Sequence, residues 1–167
     1  MEIAIIFLPL LGAIISGFFG NLFNNKFSQI ITSAFISISS VLSFFIFYKV
    51  INEDYKNLIQ IATWINSGTF NVNWAIKIDS LSSIMLVIVT LISSLVHIYS
   101  IGYMSHDPHK PRFMSYLSLF TFSMLILVTS DNFLQLFFGW EGVGLCSYFL
   151  IGFWYKKPSA NAAAIKA

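Results

Sequence analysis

Glu141 is the residue of this sequence best suited to chemistry. It lies about nine residues into an apolar segment, within the run Phe137–Tyr148. A charged carboxylate at the centre of a bilayer costs roughly 3 kcal/mol, so membrane proteins place such a group against protein or water and give it a partner. A carboxyl group held in this way can take up and release a proton. The sequence therefore predicts a proton relay at Glu141, the alternative being a neutral, hydrogen-bonded packing residue.

His97 is the second candidate, and it lies in another apolar run, Leu95–Tyr99. A histidine can exchange protons near neutral pH. The pattern predicts either a proton relay or an interface residue that is hydrogen-bonded to a neighbour, and it leaves both open. His106 and His109 lie in a polar loop, where we expect them to be solvated. A bis-histidine haem site needs paired histidines at membrane depth, and the sequence offers His97 no such mate.

Small residues accompany Glu141. Gly139, Gly142 and Cys146 recur at helical spacing on one face, and Gly144 adds a second small position. Small residues allow a neighbouring helix to approach closely, so this face is expected to pack against protein. The single cysteine excludes a disulfide framework and a cysteine metal site.

The composition indicates a membrane protein. The 167 residues are 57% hydrophobic and 10% charged, with a mean hydropathy of +0.79. A soluble domain of this length has no interior large enough for so much apolar surface. The net charge is +2 and the basic residues form no stripe, so nucleic acid is not an expected partner.

Five segments have the roughly 20 apolar residues that a spanning helix needs. The first is interpreted as a retained span because Met1–Ile6 lacks the basic start of a signal peptide. Backbone groups in lipid must be satisfied internally, so the predicted fold is an all-α membrane protein. The predicted spans are about Ile3–Phe23, Phe27–Ile51, Ser80–Met104, Phe113–Ser130 and Phe133–Tyr155, with the start of a sixth helix at Ala162–Ala167.

The longest connection, Asn52–Asp79, alternates in hydrophobicity on both sides of Asn66–Gly68. This pattern is typical of a β-hairpin, predicted at about 58–78, with an amphipathic surface loop as the alternative. The chain is divided into two first helices (1–51), an outer-face hairpin or loop (52–79), and helices three to five with the start of helix six (80–167).

Charge placement predicts the orientation. With the N-terminus outside, six of the nine Lys and Arg residues lie on the inner side, which favours N-out and C-in by the positive-inside rule. The inner residues are Lys26, Lys110, Arg112, Lys156, Lys157 and Lys166; the outer ones are Lys49, Lys56 and Lys77.

The run Asp131–Trp154 closely resembles subunit L of the proton-pumping NADH:quinone oxidoreductase, respiratory complex I. The segments Ile78–Met85 and Leu95–Met104 resemble the same subunit. So do Asp107-Pro108, Arg112–Met114 and the tail Ala162–Ala167.

The resemblance implies an antiporter-like subunit of the membrane arm, coupling quinone reduction to proton transport in a bacterial inner membrane or, alternatively, the mitochondrial inner membrane. It implies that Glu141 pairs with a lysine on a later helix. It also implies that this chain binds no cofactor, that NADH and quinone are used by the whole complex, and that the partners are other membrane-arm subunits and lipid. Whether the chain counts as part of an enzyme is left open, since redox catalysis is expected in other subunits.

Two alternatives remain. One is the large subunit of a multisubunit sodium/proton antiporter or of a membrane-bound hydrogenase, which share the Trp140-Glu141-Gly142 core. The other is a truncated, inactive membrane segment, because the family is several hundred residues long and its later lysines are missing here. We expect an N-terminal fragment of the longer subunit.

Overall fold

The computed structural model describes residues 1–20 and 25–166, which form a helical bundle with a two-stranded antiparallel sheet at one end. Five of the described helices are long and apolar enough to cross a membrane. The predicted membrane fold, with five spans, a sixth helix and a hairpin, is therefore confirmed. The helices are α1 Glu2–Phe19, α2 Asn25–Glu53, α3 Ser80–Tyr103, α4 Lys110–Val128, α5 Phe133–Ile151 and α6 Pro158–Lys166; the strands are β1 Asn57–Ser67 and β2 Phe70–Ile78.

Three predicted helix ends are wrong by three residues or more. Helix α6 begins at Pro158 and not at Ala162, because proline is favoured at the first position of a helix. Helix α4 begins at Lys110 and not at Phe113, because Pro111 fits the first turn of a helix, where its missing N–H costs no hydrogen bond. Helix α5 ends at Ile151 and not at Tyr155, since the chain turns at Gly152 and the Phe153 carbonyl accepts a bond from Arg112. The predicted end of the first span, at Phe23, lies outside the described residues.

The hairpin closes one end of the bundle through its second strand. Ile76 and Ile78 of β2 are fully buried in a core with Ile6, Leu125 and Ile126, whereas most of β1 is exposed. The strands pair from Asn57 opposite Ile78 to Ser67 opposite Phe70, with two register shifts. Gly68 in the turn has φ +61, a conformation that glycine adopts without a steric cost.

Hydrogen bonds attach β2 to the turn between α4 and α5. The Lys77 N–H donates to the Thr129 carbonyl (2.9 Å) and Asn132 Nδ2 donates to the Asn73 carbonyl (2.8 Å). The Gln135 side chain donates to the Ala75 carbonyl (2.8 Å) and accepts from the Ala75 N–H (3.1 Å). The start of α5 is thus fixed on the sheet.

The opposite end of the bundle gathers basic residues. There Ser16 Oγ donates to the Pro111 carbonyl (2.8 Å), and Arg112 Nη2 donates to the Phe153 carbonyl (3.2 Å). Lys110 is the first residue of α4, and Lys156 and Lys157 lie in the connection between α5 and α6. This clustering agrees with the charge pattern used above, and the assignment of this end to the inner side remains a prediction.

Asp79 caps α3 and is expected to make stability depend on pH. Its Oδ1 accepts from the Ser82 N–H (2.8 Å) while its own N–H donates to Ser82 Oγ (2.7 Å), which forms a capping box. The Ser82 backbone bond, followed by the Ser82 hydroxyl and Lys77, holds the pKa of Asp79 below its usual value. A depressed pKa adds stability above the unfolded pKa, and this is lost as the pH falls through the folded pKa.

We therefore expect Asp79→Ala to lower the free energy of unfolding by about 1 kcal/mol at neutral pH, and the deficit to shrink under acid conditions. Unfolding of the chain in detergent micelles across an acid pH series measures both effects. Asp131→Ala is the control, since Asp131 is exposed and caps no helix. A deficit independent of pH would contradict this account.

Candidate functional site

One face of α5 packs closely on α4 through small residues. A Cβ added to Gly139 would lie 2.8 Å from the backbone of Leu127, and one added to Gly142 would lie 2.8 Å from Ser123 Oγ. Cys146, one turn further, is buried. The predicted small-residue packing face is therefore confirmed for these positions. Gly144 lies outside it, because a Cβ there would meet nothing within 4 Å.

Glu141 lies beside this face, near the middle of the helix. It is the ninth of the nineteen residues of α5 and is displaced by about 100° around the helix from Gly142. Its side chain is exposed in the described structure. The same exposed line of α5 carries large apolar and aromatic side chains at spacings of three and four residues. We call this line the α5 stripe; it consists of Leu134, Phe138, Glu141, Leu145 and Tyr148.

The α5 stripe has the character of an uncovered helix interface. Only 17% of the apolar window of α5 is buried, against 28 to 39% in the other four spans. Within residues 1–20 and 25–166, the Glu141 side chain makes neither a hydrogen bond nor an ion pair. Since a carboxylate in hydrocarbon is costly, this stripe requires protein or water against it in the working molecule.

The hairpin packs against the α5 stripe near one end. The Phe138 ring meets Trp74 edge-on with centroids 5.1 Å apart, and it meets Trp64 in the same way at 6.0 Å. Such edge-to-face pairs add roughly 1 kcal/mol each beyond their buried area. The tryptophans therefore fix the side chain that lies one turn from Glu141.

His97 occupies a different interface, between α3 and α4, and is fully buried. Its Nδ1 lies 2.8 Å from the Ser93 carbonyl, and its Nε2 lies 3.1 Å from Ser118 Oγ. A carbonyl only accepts, so Nδ1 carries the proton in the neutral ring and Nε2 accepts from the Ser118 hydroxyl. Both ring nitrogens are satisfied, as the interface interpretation of His97 predicts.

Hydroxyl groups that the sequence did not single out surround His97. Ser93 Oγ is hydrogen-bonded to Thr121 Oγ1 and lies 3.4 Å from His97 Nδ1. Ser118 and Thr121 come from α4, more than twenty residues away in the chain, so spacing alone gives no indication of them. The contact of His97 with Ser93 could have been predicted from the sequence, because Ser93 precedes His97 by one helical turn.

The structure does not bring the two predicted site residues together. His97 lies inside the α3–α4 interface, whereas Glu141 lies on the exposed α5 stripe, and no hydrogen-bond chain among the described residues joins them. His106 and His109 are exposed, as predicted. In the described part of the chain no three His, Cys, Asp or Glu side chains are grouped to hold a metal ion.

Two family models match parts of the chain. Residues 64–114 match the family model of the NADH-ubiquinone oxidoreductase (complex I) chain 5 N-terminus, and residues 130–167 match that of the NADH:quinone oxidoreductase/Mrp antiporter membrane domain. The chain is 56% identical over 165 residues to NADH-ubiquinone oxidoreductase chain 5 of Phytophthora infestans, which covers 99% of this chain and 25% of that one.

Relatives from a plant and a bacterium are equally similar. Chain 5 of Arabidopsis thaliana is 56% identical over 167 residues, covering 100% of this chain and 25% of the relative. NADH-quinone oxidoreductase subunit L of Rickettsia conorii is 57% identical over 165 residues, covering 99% and 25%. The chain belongs to the complex I chain 5/subunit L family. It spans about a quarter of the length of these relatives.

Membership of this family confirms two predictions from the sequence. The resemblance drawn from Asp131–Trp154 and its companion segments is correct, and both candidate residues fall within matched regions, His97 in the first and Glu141 in the second. The family also places the chain in an inner membrane, bacterial or mitochondrial, in agreement with the predicted localisation. Relatives of both kinds are about equally similar to this chain.

Proposed function

We propose that this chain forms part of the proton-translocating membrane arm of an NADH:quinone oxidoreductase, with Glu141 as a protonatable relay. The observation that supports the proposal is the placement of Glu141: a carboxylate in the middle of a membrane helix, on an uncovered apolar stripe. The names of the relatives indicate the reaction, NADH oxidation by quinone. The ability of a carboxylate to take up and release a proton indicates the role of Glu141.

The α5 stripe requires a partner that offers both apolar surface and a proton-exchanging group. Its apolar residues at three- and four-residue spacing suit another helix. A nearby cation favours the ionised carboxylate, and its withdrawal favours the protonated one. A lysine on a covering helix, as the family resemblance implies, would therefore load and unload a proton at Glu141 as the pair closes and opens.

The remaining partners and cofactors follow from the same proposal. Other membrane-arm subunits are the expected protein partners, and the exposed apolar helices face lipid. NADH and quinone are expected to react elsewhere in the complex, and this chain is expected to bind no flavin or iron–sulfur cluster. His97 stays a predicted second relay, in addition to its observed interface role.

The test is Glu141→Gln in the assembled oxidoreductase, measured in sealed inverted vesicles. Glutamine keeps the shape of the side chain but cannot carry the proton, so we expect protons moved per NADH oxidised to fall to about half or less. Glu53→Gln is the matched control, because Glu53 lies exposed at the end of α2 and should leave the ratio unchanged.

The amount of assembled complex, read on native gels, separates lost transport from lost assembly. An unchanged proton ratio in normally assembled Glu141→Gln complex would contradict the relay. It would favour the alternative in which this part of the chain is structural.

The sodium/proton antiporter alternative has one specific observation in its favour, because the model matched by residues 130–167 covers Mrp antiporters as well. The two functions differ in the ions they move. An antiporter should acidify or alkalise vesicles in response to a sodium gradient without NADH, whereas the oxidoreductase should need NADH oxidation. Transport driven by sodium alone would favour the alternative.

A further inference from the structure

A basic cavity lies where α4 begins and the chain leaves α5. About 190 Å³ in volume, it is lined by Arg112, Lys156 and Lys157 together with Trp154 and Tyr155. Among the described residues, the carboxylate hydrogen-bonded to this group is that of Asp107, whose Oδ2 accepts from Trp154 Nε1 (2.9 Å). Three cations less one carboxylate leave a net charge of +2, with His109 counted as neutral.

Arg112 has donor capacity that the described residues do not use. Its Nη2 donates to the Phe153 carbonyl (3.2 Å), and its guanidinium lies 4.6 Å from the centre of the Phe153 ring. Its Nε is buried and has no hydrogen-bond partner among the described residues, and no carboxylate there lies within ion-pair distance of it. A guanidinium carries five N–H donors, and among the described residues only the Phe153 carbonyl accepts from Arg112.

A second cavity of about 410 Å³ adjoins the first, and both are lined by Arg112, Phe153 and Tyr155. Its lining includes the polar Arg112 and Asn161 and the apolar Phe149 and Ile165. The two cavities together are therefore amphipathic, since cations line the first and apolar side chains form part of the second. Trp154 and Tyr155 beside it are of the types that mark the membrane–water interface.

We propose that this amphipathic space binds an anionic glycerophospholipid. The phosphate would accept hydrogen bonds from Arg112 and face Lys156 and Lys157, and an acyl chain would lie along Phe149 and Ile165. Arginine is well suited to phosphate because its planar fork donates two parallel bonds. Basic pockets between membrane helices at the positively charged face are typical of anionic headgroup sites.

The apolar groove decides between lipid and free phosphate. A free phosphate ion would use only the basic cavity and would gain nothing from Phe149 and Ile165. A phosphodiester with acyl chains uses both parts, so the site is assigned to a lipid. Lys157 Nζ lies 4.9 Å from the centroid of the Trp154 ring. This cation–π contact holds the lysine at the edge of the basic cavity.

Binding can be measured on the 167-residue chain in neutral maltoside micelles by native mass spectrometry. Dioleoyl phosphatidylglycerol and dioleoyl phosphatidylcholine have the same acyl chains and differ in headgroup charge. We expect the phosphatidylglycerol adduct to predominate and to weaken about fivefold for each lysine lost in Lys156→Gln and Lys157→Gln. These two residues are exposed, so the variants should fold.

Lys56→Gln/Lys77→Gln is the matched control, because it removes the same charge at the hairpin end and should leave binding unchanged. Arg112→Gln should weaken phosphatidylglycerol most, with circular dichroism as the check on its fold. Equal binding of the two lipids, or an equal effect of the control pair, would overturn the site. So would displacement of the lipid by inorganic phosphate alone, which would show that the groove contributes nothing.

Discussion

Gly139→Ala is expected to destabilise the chain by about 1–3 kcal/mol, whereas the same change at Gly144 should have no cost. The Cβ of an alanine at 139 would lie 2.8 Å from both Cα and N of Leu127. Backbone atoms of a packed helix cannot move aside as the end of a flexible side chain can, so α5 must shift away from α4. Overpacking of this kind typically costs 1–3 kcal/mol.

The three glycines of α5 form an internal series. At Gly142 the added Cβ would meet Ser123 Oγ at 2.8 Å, and that hydroxyl can rotate, so the cost should be intermediate. At Gly144 nothing lies within 4 Å, and alanine has the higher helix propensity. Unfolding of each variant in mixed micelles, followed by far-ultraviolet circular dichroism, gives the order. Equal effects at positions 139 and 144 would show that α5 does not pack on α4 through this face.

His97→Leu is expected to cost about 2 kcal/mol, at the upper end of what hydrogen bonds between membrane helices contribute. The substitution removes the acceptor of the Ser118 hydroxyl and the donor to the Ser93 carbonyl. His97 is fully buried, so water cannot replace these partners. His106→Leu is the control because His106 is exposed in a loop, and its effect should be near zero.

A double-mutant cycle with Ser118→Ala separates the hydrogen bond from the shape of the ring. If the Nε2–Ser118 bond provides the stability, the double variant should cost clearly less than the two single changes added together. Strict additivity would contradict the bond. A proton role for His97 has a separate readout, since His97→Gln would then lower protons moved per NADH in complexes of normal stability.

Much of the fold could be predicted from the sequence because lipid imposes simple requirements. A spanning helix needs a long apolar run, so the five spans were recognisable from composition. The hairpin followed from alternation on both sides of Gly68. The ends of α4 and α5 were less predictable, since they depend on Pro111 within a polar loop and on a distant bond from Arg112 to the Phe153 carbonyl.

The candidate site shows the same division. The depth of Glu141 in the membrane follows from its position in an apolar run. The face of α5 that packs against α4 follows from Gly139 and Gly142. The surroundings of His97 do not follow, because Ser118 and Thr121 reach it only after α4 has packed on α3. The spacing of residues within one segment predicts how deep a residue lies in the membrane and which face of the helix it occupies. Contacts between helices arise only in the tertiary structure.

The bonds between β2 and the start of α5 restrict how the helix can turn about its own axis. Asn132 and Gln135 are three residues apart, and both are bonded to the sheet, at Asn73 and Ala75. A rotation of α5 large enough to redirect Glu141 would break these bonds and separate Gly139 from Leu127. Helix α5 is therefore held in one orientation about its axis. A movement that changes the surroundings of Glu141 must come from whatever covers the α5 stripe.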